Sequence, residues 1–138
     1  MANEALSVAM TDTITVFLVD EDRDILDITS TFLERADDGI DVRTYTSATD
    51  ALDSIESDPE AVDCIISDYT MPELTGVDFL QAVREVDPSM PFFLFTGRER
   101  EDIEAQLEAE SFTGFIKKGT GTDRYTQLAK EIRTALEE

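Results

Sequence analysis

The sequence predicts an α/β fold in which five parallel strands form one sheet with helices packed on both faces. Five short apolar runs alternate with five segments whose apolar residues recur at helical spacing. Near-continuous apolar strands are typical of parallel sheets covered on both sides. A length of 138 residues favours a single domain with one sheet. The strands are expected at residues 14–19, 41–46, 62–67, 91–96 and 112–117.

Helices are expected between these strands and after the last of them. Gly39 is at the position of a C-terminal stop for the first helix, and Ser47 is a candidate N-cap for the second. The segment at 99–110 is mostly charged with a weak apolar stripe, which suits a solvated face or a helix that moves or binds a partner. A last helix is expected at 123–138.

The composition excludes several classes of protein. The chain has 32 Asp and Glu against 11 Lys and Arg, a net charge of −21, so neither direct nucleic-acid binding nor docking on anionic lipid is expected. No His is present, which excludes imidazole metal sites, Ser-His-Asp triads and a phosphohistidine on this chain. No apolar run approaches the roughly 18 residues of a membrane span, so membrane insertion is not expected.

The start of the chain and its one cysteine suggest a cytoplasmic protein. Residues 1–12 have no periodicity and no basic region followed by an apolar one, so we expect a flexible lead-in before a single domain at 13–138. Cys64 lies inside an apolar strand and is expected to be an inert core thiol.

The distribution of charge favours a halophilic protein. Acidic residues are spread along the whole chain, and the lysines are limited to Lys117, Lys118 and Lys130. At 1 M salt the Debye length is about 3 Å, so repulsion among dispersed carboxylates is largely screened. An ordinary acidic mesophilic protein is the alternative.

Charged and polar residues follow four of the predicted strands. In open parallel sheets, ligands bind outside the carboxyl ends of the strands. We therefore expect these side chains to converge on one edge of the sheet. They are Asp20, Glu21 and Asp22 after the first strand, Asp68 after the third, Thr96 at the end of the fourth, and Lys117 and Lys118 at the end of the fifth.

This set of groups suits phosphoryl transfer to a carboxylate. Asp20, Glu21 and Asp68 supply hard oxygen ligands for Mg²⁺, or for Mn²⁺ in its place. Asp68 can act as a nucleophile and form an aspartyl phosphate. Thr96 and one of the two lysines can bind the phosphoryl oxygens, the lysine as a point charge and Thr96 as a hydrogen-bond donor.

Four motifs together resemble the receiver domain of two-component response regulators. They are VFLVDED, CIISDYTMPELTG, PFFLFTG and FIKKG, and the resemblance covers roughly residues 13–137. It implies a flavodoxin-like, doubly wound sheet with strand order 2-1-3-4-5. The tail of the chain is further similar to receivers of halophilic archaea, which are often linked to PAS and histidine-kinase modules.

The resemblance also implies a role for individual residues. The chain would take a phosphoryl group from a sensor histidine kinase or a phosphotransfer protein, with Mg²⁺ as cofactor, and would catalyse only its own phosphorylation and dephosphorylation. An output face at 99–110, 112–117 and 123–138 would act on a downstream protein or a covalently linked output domain. The implied residues are Asp68 as phosphoacceptor, Asp20, Glu21, Asp68 and the Thr70 backbone carbonyl as metal ligands, Lys118 as the site lysine, and Thr96 and Phe115 as the switch pair.

Two departures from the family pattern bear on the switch. Phe115 has no phenol hydroxyl, so its inward rotamer is expected to be populated before phosphorylation. Gly119 follows Lys118 where many receivers have Pro.

Two other functions remain open from the residues. A pseudo-receiver would bind partners without phosphorylation. A phosphatase of the haloacid-dehalogenase type also uses an aspartate nucleophile, but it needs a second acid two residues later, and Thr70 stands there.

Overall fold

The computed structural model describes residues 13–69, 74–97, 99, 101, 112–118 and 123–137. All strand pairs are parallel, and the sheet has the order β2-β1-β3-β4-β5. This confirms the predicted fold class and the strand order that the resemblance implied. The strands are β1 (Ile14–Val19), β2 (Ile40–Tyr45), β3 (Cys64–Ser67), β4 (Phe92–Thr96) and β5 (Gly114–Lys117). The helices are α1 (Arg23–Ala36), α2 (Ala48–Ser57), α3 (Gly76–Val86) and α4 (Asp123–Glu137), with a short 3₁₀ helix at Pro59–Ala61.

Three predictions fall wholly or mostly outside the described residues. They are the lead-in at 1–12, the backbone carbonyl of Thr70, and the helix at 99–110 apart from Glu99 and Glu101. Within the described part of the chain, no helix combines the length and the apolar character needed to cross a membrane.

Two hydrophobic clusters lie on opposite faces of the sheet. Alternate strand residues point to opposite faces, so Phe17 and Val19 pack with α2 and α3, whereas Val16 and Leu18 pack with α1 and α4. Cys64 is buried in the second cluster, and burial raises the pKa of its thiol. The predicted position of this thiol in the core is confirmed.

Strands β3 and β5 each begin two residues later than the sequence predicts, because a side-chain oxygen accepts one of the first hydrogen bonds with the neighbouring strand. Before β3, Asp63 accepts the Thr15 amide on its carboxylate at 2.8 Å. Before β5, the Thr113 hydroxyl accepts the Phe92 amide at 2.9 Å. A side-chain oxygen here replaces the backbone carbonyl that would extend the ladder.

Gly39 does not end α1 as predicted. The helix ends at Ala36, and the cap residue Asp37 is in an extended conformation. A Cβ at Gly39 would lie 2.3 Å from Nη2 of Arg133. The glycine therefore makes room for an arginine from α4, a contact between distant segments that local sequence does not indicate.

The Arg133 guanidinium joins α4 to the end of α1. It donates to the Asp37 carboxylate through Nε at 2.6 Å and Nη2 at 2.9 Å. The hydrogen bond from Arg133 holds the pKa of Asp37 below its usual value, against the opposing effect of burial. A bidentate pair of this kind fixes orientation as well as adding energy.

Asp37→Asn is expected to lower the free energy of unfolding by about 1 kcal/mol at pH 7, allowing for solvent screening of the half-exposed arginine. Because the folded-state pKa is lowered, this contribution is complete above the unfolded pKa of about 3.9 and is lost as the pH falls through the folded value. Urea unfolding at neutral and acid pH measures it. Asp38→Asn, at the exposed neighbouring position, is the matched control. An equal loss at both pH values would contradict the ion-pair explanation.

Thr29 is a polar residue inside the α1 face of the core. It is fully buried, and its hydroxyl has no hydrogen-bond partner among the described residues. Thr29→Val keeps the shape and removes the buried hydroxyl, so we expect the free energy of unfolding to rise by about 1 kcal/mol. Thr31→Val on the exposed side of the same helix should have little effect. If both variants behave alike in urea, the hydroxyl of Thr29 is satisfied in solution.

Candidate functional site

Four strands end at one edge of the sheet and bring the predicted polar residues together. Asp20 and Asp68 directly follow the adjacent strands β1 and β3, and the Asp68 amide donates to the Val19 carbonyl at 3.0 Å. Thr96 ends β4, and its carbonyl accepts the Lys118 amide at 2.8 Å. These last backbone hydrogen bonds between neighbouring strands fix the backbone positions of the residues that carry the site's side chains.

The Lys118 ammonium bridges the two aspartates. Its Nζ lies 2.6 Å from Oδ2 of Asp20 and 3.3 Å from Oδ2 of Asp68. The side chain of Asp20 is only 4% exposed, so its charge depends on this partner. Burial acts to lower the pKa of Lys118, but the hydrogen bond to Asp20 and the charges of Asp68 and Asp20 outweigh it, so the pKa is raised. The lysine is therefore a permanent positive charge at the site.

The two adjacent lysines differ in exposure and in their ion-pair partners. Lys117 is exposed and pairs with Glu99, whereas Lys118 turns toward Asp20 and Asp68. Successive residues leaving a strand point in opposite directions. The resemblance implied Lys118 as the site lysine, and the structure places that lysine at the two aspartates.

The acidic triplet after β1 divides among three environments. Asp20 is buried in the site and accepts the Asp22 amide on Oδ1 at 2.9 Å. Glu21 is exposed. Asp22 is the N-cap of α1, where its carboxylate accepts the amides of Asp24 and Ile25. A capping carboxylate is satisfied by the helix, so Asp22 is a structural residue.

Asp68 is held by its own backbone as well as by Lys118. The Tyr69 amide donates to Oδ1 of Asp68 at 2.7 Å, and the Gly76 amide donates to the Tyr69 carbonyl at 2.6 Å. A Cβ at Gly76 would lie 2.8 Å from the Tyr69 Cα and 3.0 Å from the Asp68 carbonyl oxygen. Glycine at the start of α3 thus lets the helix pack directly on the residues around the carboxylate.

Thr96 and Phe115, the predicted switch pair, occupy neighbouring strands. Thr96 is 2% exposed. Phe115 is partly buried and packs against the cluster on the α2 and α3 face, with Leu94 as its partner across the ladder. Its ring is therefore already in contact with the core in this structure.

The oxygen atoms brought together at the site form only part of the ligand set of a small divalent cation. Asp20 and Asp68 present two carboxylates to one point, which suits an ion that prefers hard oxygen ligands. Glu21 is not drawn into this group, and the described residues contain no cluster of three acidic, His or Cys side chains able to hold a metal. The expected third protein ligand, the carbonyl of Thr70, is outside the described residues.

Comparison with known sequences gives a family match over most of the chain. Residues 16–130 match the model of the response regulator receiver domain. The chain belongs to this family. This receiver domain is 33% identical over 115 residues to the C4-dicarboxylate transport transcriptional regulatory protein DctD of Rhizobium meliloti, covering 83% of the chain and 24% of that protein. It is 33% identical over 86 residues to response regulator SaeR of Staphylococcus epidermidis, covering 62% and 35%. The chain thus spans about a quarter to a third of these relatives.

Solved structures share the receiver fold. A response regulator receiver domain protein from Clostridium thermocellum superposes with a TM-score of 0.78 at 24% identity, covering 90% of this chain and 94% of the other. The chemotaxis protein CheY4 of Vibrio cholerae superposes with a TM-score of 0.75 at 25% identity, covering 87% and 98%.

Proposed function

We propose that this receiver domain accepts a phosphoryl group on Asp68 from a partner histidine kinase or phosphotransfer protein in the cytoplasm. The observation that carries the proposal is the bridge made by Lys118 between Asp68 and the buried Asp20. A carboxylate beside a fixed ammonium at the end of a central strand has both a nucleophilic oxygen and a positive charge for the incoming phosphoryl group.

In the transfer step, an oxygen of the Asp68 carboxylate attacks phosphorus. The new oxygen–phosphorus bond forms as the bond from phosphorus to the donor breaks, and the product is an aspartyl phosphate. The incoming oxygens carry negative charge, which the Lys118 ammonium and the Thr96 hydroxyl can stabilise. Water then attacks phosphorus, the bond from phosphorus to the Asp68 oxygen breaks, and inorganic phosphate and the free carboxylate are released. The domain thus acts as a switch with self-catalysed steps.

Mg²⁺ would be held by Asp20 and Asp68, with the Thr70 carbonyl as a further ligand. Glu21, which is exposed outside this pair, would have to turn toward the ion to join them. Bound there, it would neutralise phosphoryl oxygens and the repulsion between the two carboxylates. The support from this chain is the pair of aspartate side chains that share one cationic partner.

The output of the switch is proposed for the face formed by 99–110, 112–117 and 123–138. Phosphorylation would draw Thr96 toward a phosphoryl oxygen and open space for Phe115. Because Phe115 already packs on the core, the change would be a shift between populated states with a small energy gap. A downstream protein or a linked output domain would read that shift.

Intact-mass analysis with acetyl phosphate and Mg²⁺ tests the proposal. We expect the protein to gain one phosphoryl group, and to gain none when EDTA replaces Mg²⁺. A folded protein that takes no phosphoryl group from any small donor would support the pseudo-receiver function instead.

The charge of the chain supports a halophilic protein as a further part of the proposal, and the proposed archaeal origin rests on the resemblance of its tail alone. With a net charge of −21, repulsion acts over about 30 Å at 10 mM salt but only about 3 Å at 1 M. We therefore expect the melting temperature to rise by about 10 °C or more from 10 mM to 1 M KCl.

A double variant with Asp53→Asn and Glu56→Gln is compared with the original protein to test this salt dependence. These residues lie on the exposed side of α2, which carries no basic residue. The variant should have a shallower salt dependence, and a flat melting temperature in the original protein would reject the halophilic interpretation.

A further inference from the structure

Ser67 is the buried hydroxyl immediately before the phosphoacceptor. It ends β3, which lies between β1 and β4 in the centre of the sheet, and it is fully buried. Its Oγ donates to the carbonyl oxygen of Asp68 at 2.8 Å. The family motif CIISDYTMPELTG contains this residue, but the resemblance assigned it no role, and its sequence signal was only a serine at the end of an otherwise apolar strand.

The hydrogen bond acts on one particular peptide unit. The carbonyl of Asp68 and the amide of Tyr69 belong to the same planar group. At one end of that group the carbonyl accepts the Ser67 hydroxyl, and at the other end the amide donates to Oδ1 of Asp68 at 2.7 Å. A rotation of this peptide plane would therefore move the donor that holds the Asp68 carboxylate.

We propose that Ser67 is a positioning residue for phosphoryl transfer, which it serves by fixing the peptide plane that orients the Asp68 carboxylate. With Oδ1 held by Tyr69, Oδ2 is directed to the Lys118 ammonium at 3.3 Å. The inference deepens the proposed function and rests on it. Small displacements of a reacting group cost large factors in rate, so the loss of one orienting hydrogen bond has a kinetic effect.

A second contact supports the same peptide from its other side. The start of α3 closes the other side of the peptide, because Gly76 lies against the Asp68 carbonyl and the Tyr69 Cα. That contact is made by backbone atoms. Substituting Ser67 therefore removes a hydroxyl and replaces none of the residues proposed to touch the phosphoryl group.

The test compares matched variants for their rate of phosphorylation by acetyl phosphate and Mg²⁺. Ser67→Ala should react about tenfold more slowly. Ser67→Thr retains the hydroxyl and should approach the original rate, whereas the equally large Ser67→Val should be as slow as Ser67→Ala. Ser30→Ala is the control, since its hydroxyl also donates to a backbone carbonyl, that of Asp27, but on α1. Equal rates for the threonine and valine variants, or an unchanged Ser67→Ala, would overturn the inference.

A second readout needs no phosphorylation. The amide proton resonance of Tyr69 reports its hydrogen bond to Asp68, and we expect it to move upfield in Ser67→Ala but not in Ser30→Ala. If the original protein takes no phosphoryl group, the proposed function fails, and this resonance alone then decides the role of Ser67. An unmoved resonance would overturn the inference even if the threonine and valine variants do not fold.

Discussion

Asp68→Asn is expected to reduce phosphoryl incorporation to background. The amide has nearly the same shape and can still accept the Tyr69 amide hydrogen bond, but it lacks the carboxylate nucleophile that forms the acyl phosphate. Intact mass after incubation with acetyl phosphate and Mg²⁺ measures the loss, and melting temperature verifies the fold. Because the substitution removes a single charge in a folded protein, the comparison isolates chemistry from stability.

Asp53→Asn is the matched control, since it makes the same change at an exposed position on α2. It should be phosphorylated as the original protein is. Full phosphoryl incorporation into Asp68→Asn at any other residue would assign the phosphoacceptor elsewhere.

Lys118→Gln is expected to slow phosphorylation by about a hundredfold, the usual cost of removing one group that stabilises developing charge. It should also lower stability, because the buried Asp20 carboxylate loses the partner 2.6 Å away and faces Asp68 without a cation between them. Mg²⁺ should restore more stability to this variant than to the original protein, since it supplies the missing positive charge.

Lys117→Gln is the internal comparison for this lysine. Its partner is the exposed Glu99, and exposed pairs contribute little, so both rate and stability should change only slightly. A larger loss of rate in Lys117→Gln than in Lys118→Gln would reverse the assignment of the two lysines.

The local sequence was sufficient to predict the strands, the N-cap of α2 and the edge of the sheet at which the site lies. The alternation of apolar runs and helical stripes depends on burial against a sheet, and it identified all five strands to within two residues. Ser47 is the N-cap of α2, as predicted, because its hydroxyl satisfies a helix amide within three residues. Interactions of this kind are completed within one turn and therefore leave a readable local pattern.

The three consecutive acidic residues after β1 could not be told apart by local pattern. Asp20, Glu21 and Asp22 are three consecutive acids, yet one is buried beside Lys118, one is exposed and one caps α1. The environment of each residue depends on which residue ends β1 and which residue begins α1. A similar limit applied to Gly39, whose role is set by an arginine in α4.

The sequence by itself determined the receiver fold, the acidic character of the chain and the set of side chains at the strand ends. Only the tertiary structure decided which carboxylates share the lysine and how the Asp68 peptide is held by Ser67. The physical reason is the separation in sequence between the residues that interact. Periodicity and capping act within a few residues, whereas Lys118 meets Asp20 across 98 positions of sequence, and a contact of that separation exists only once the sheet has closed the distance.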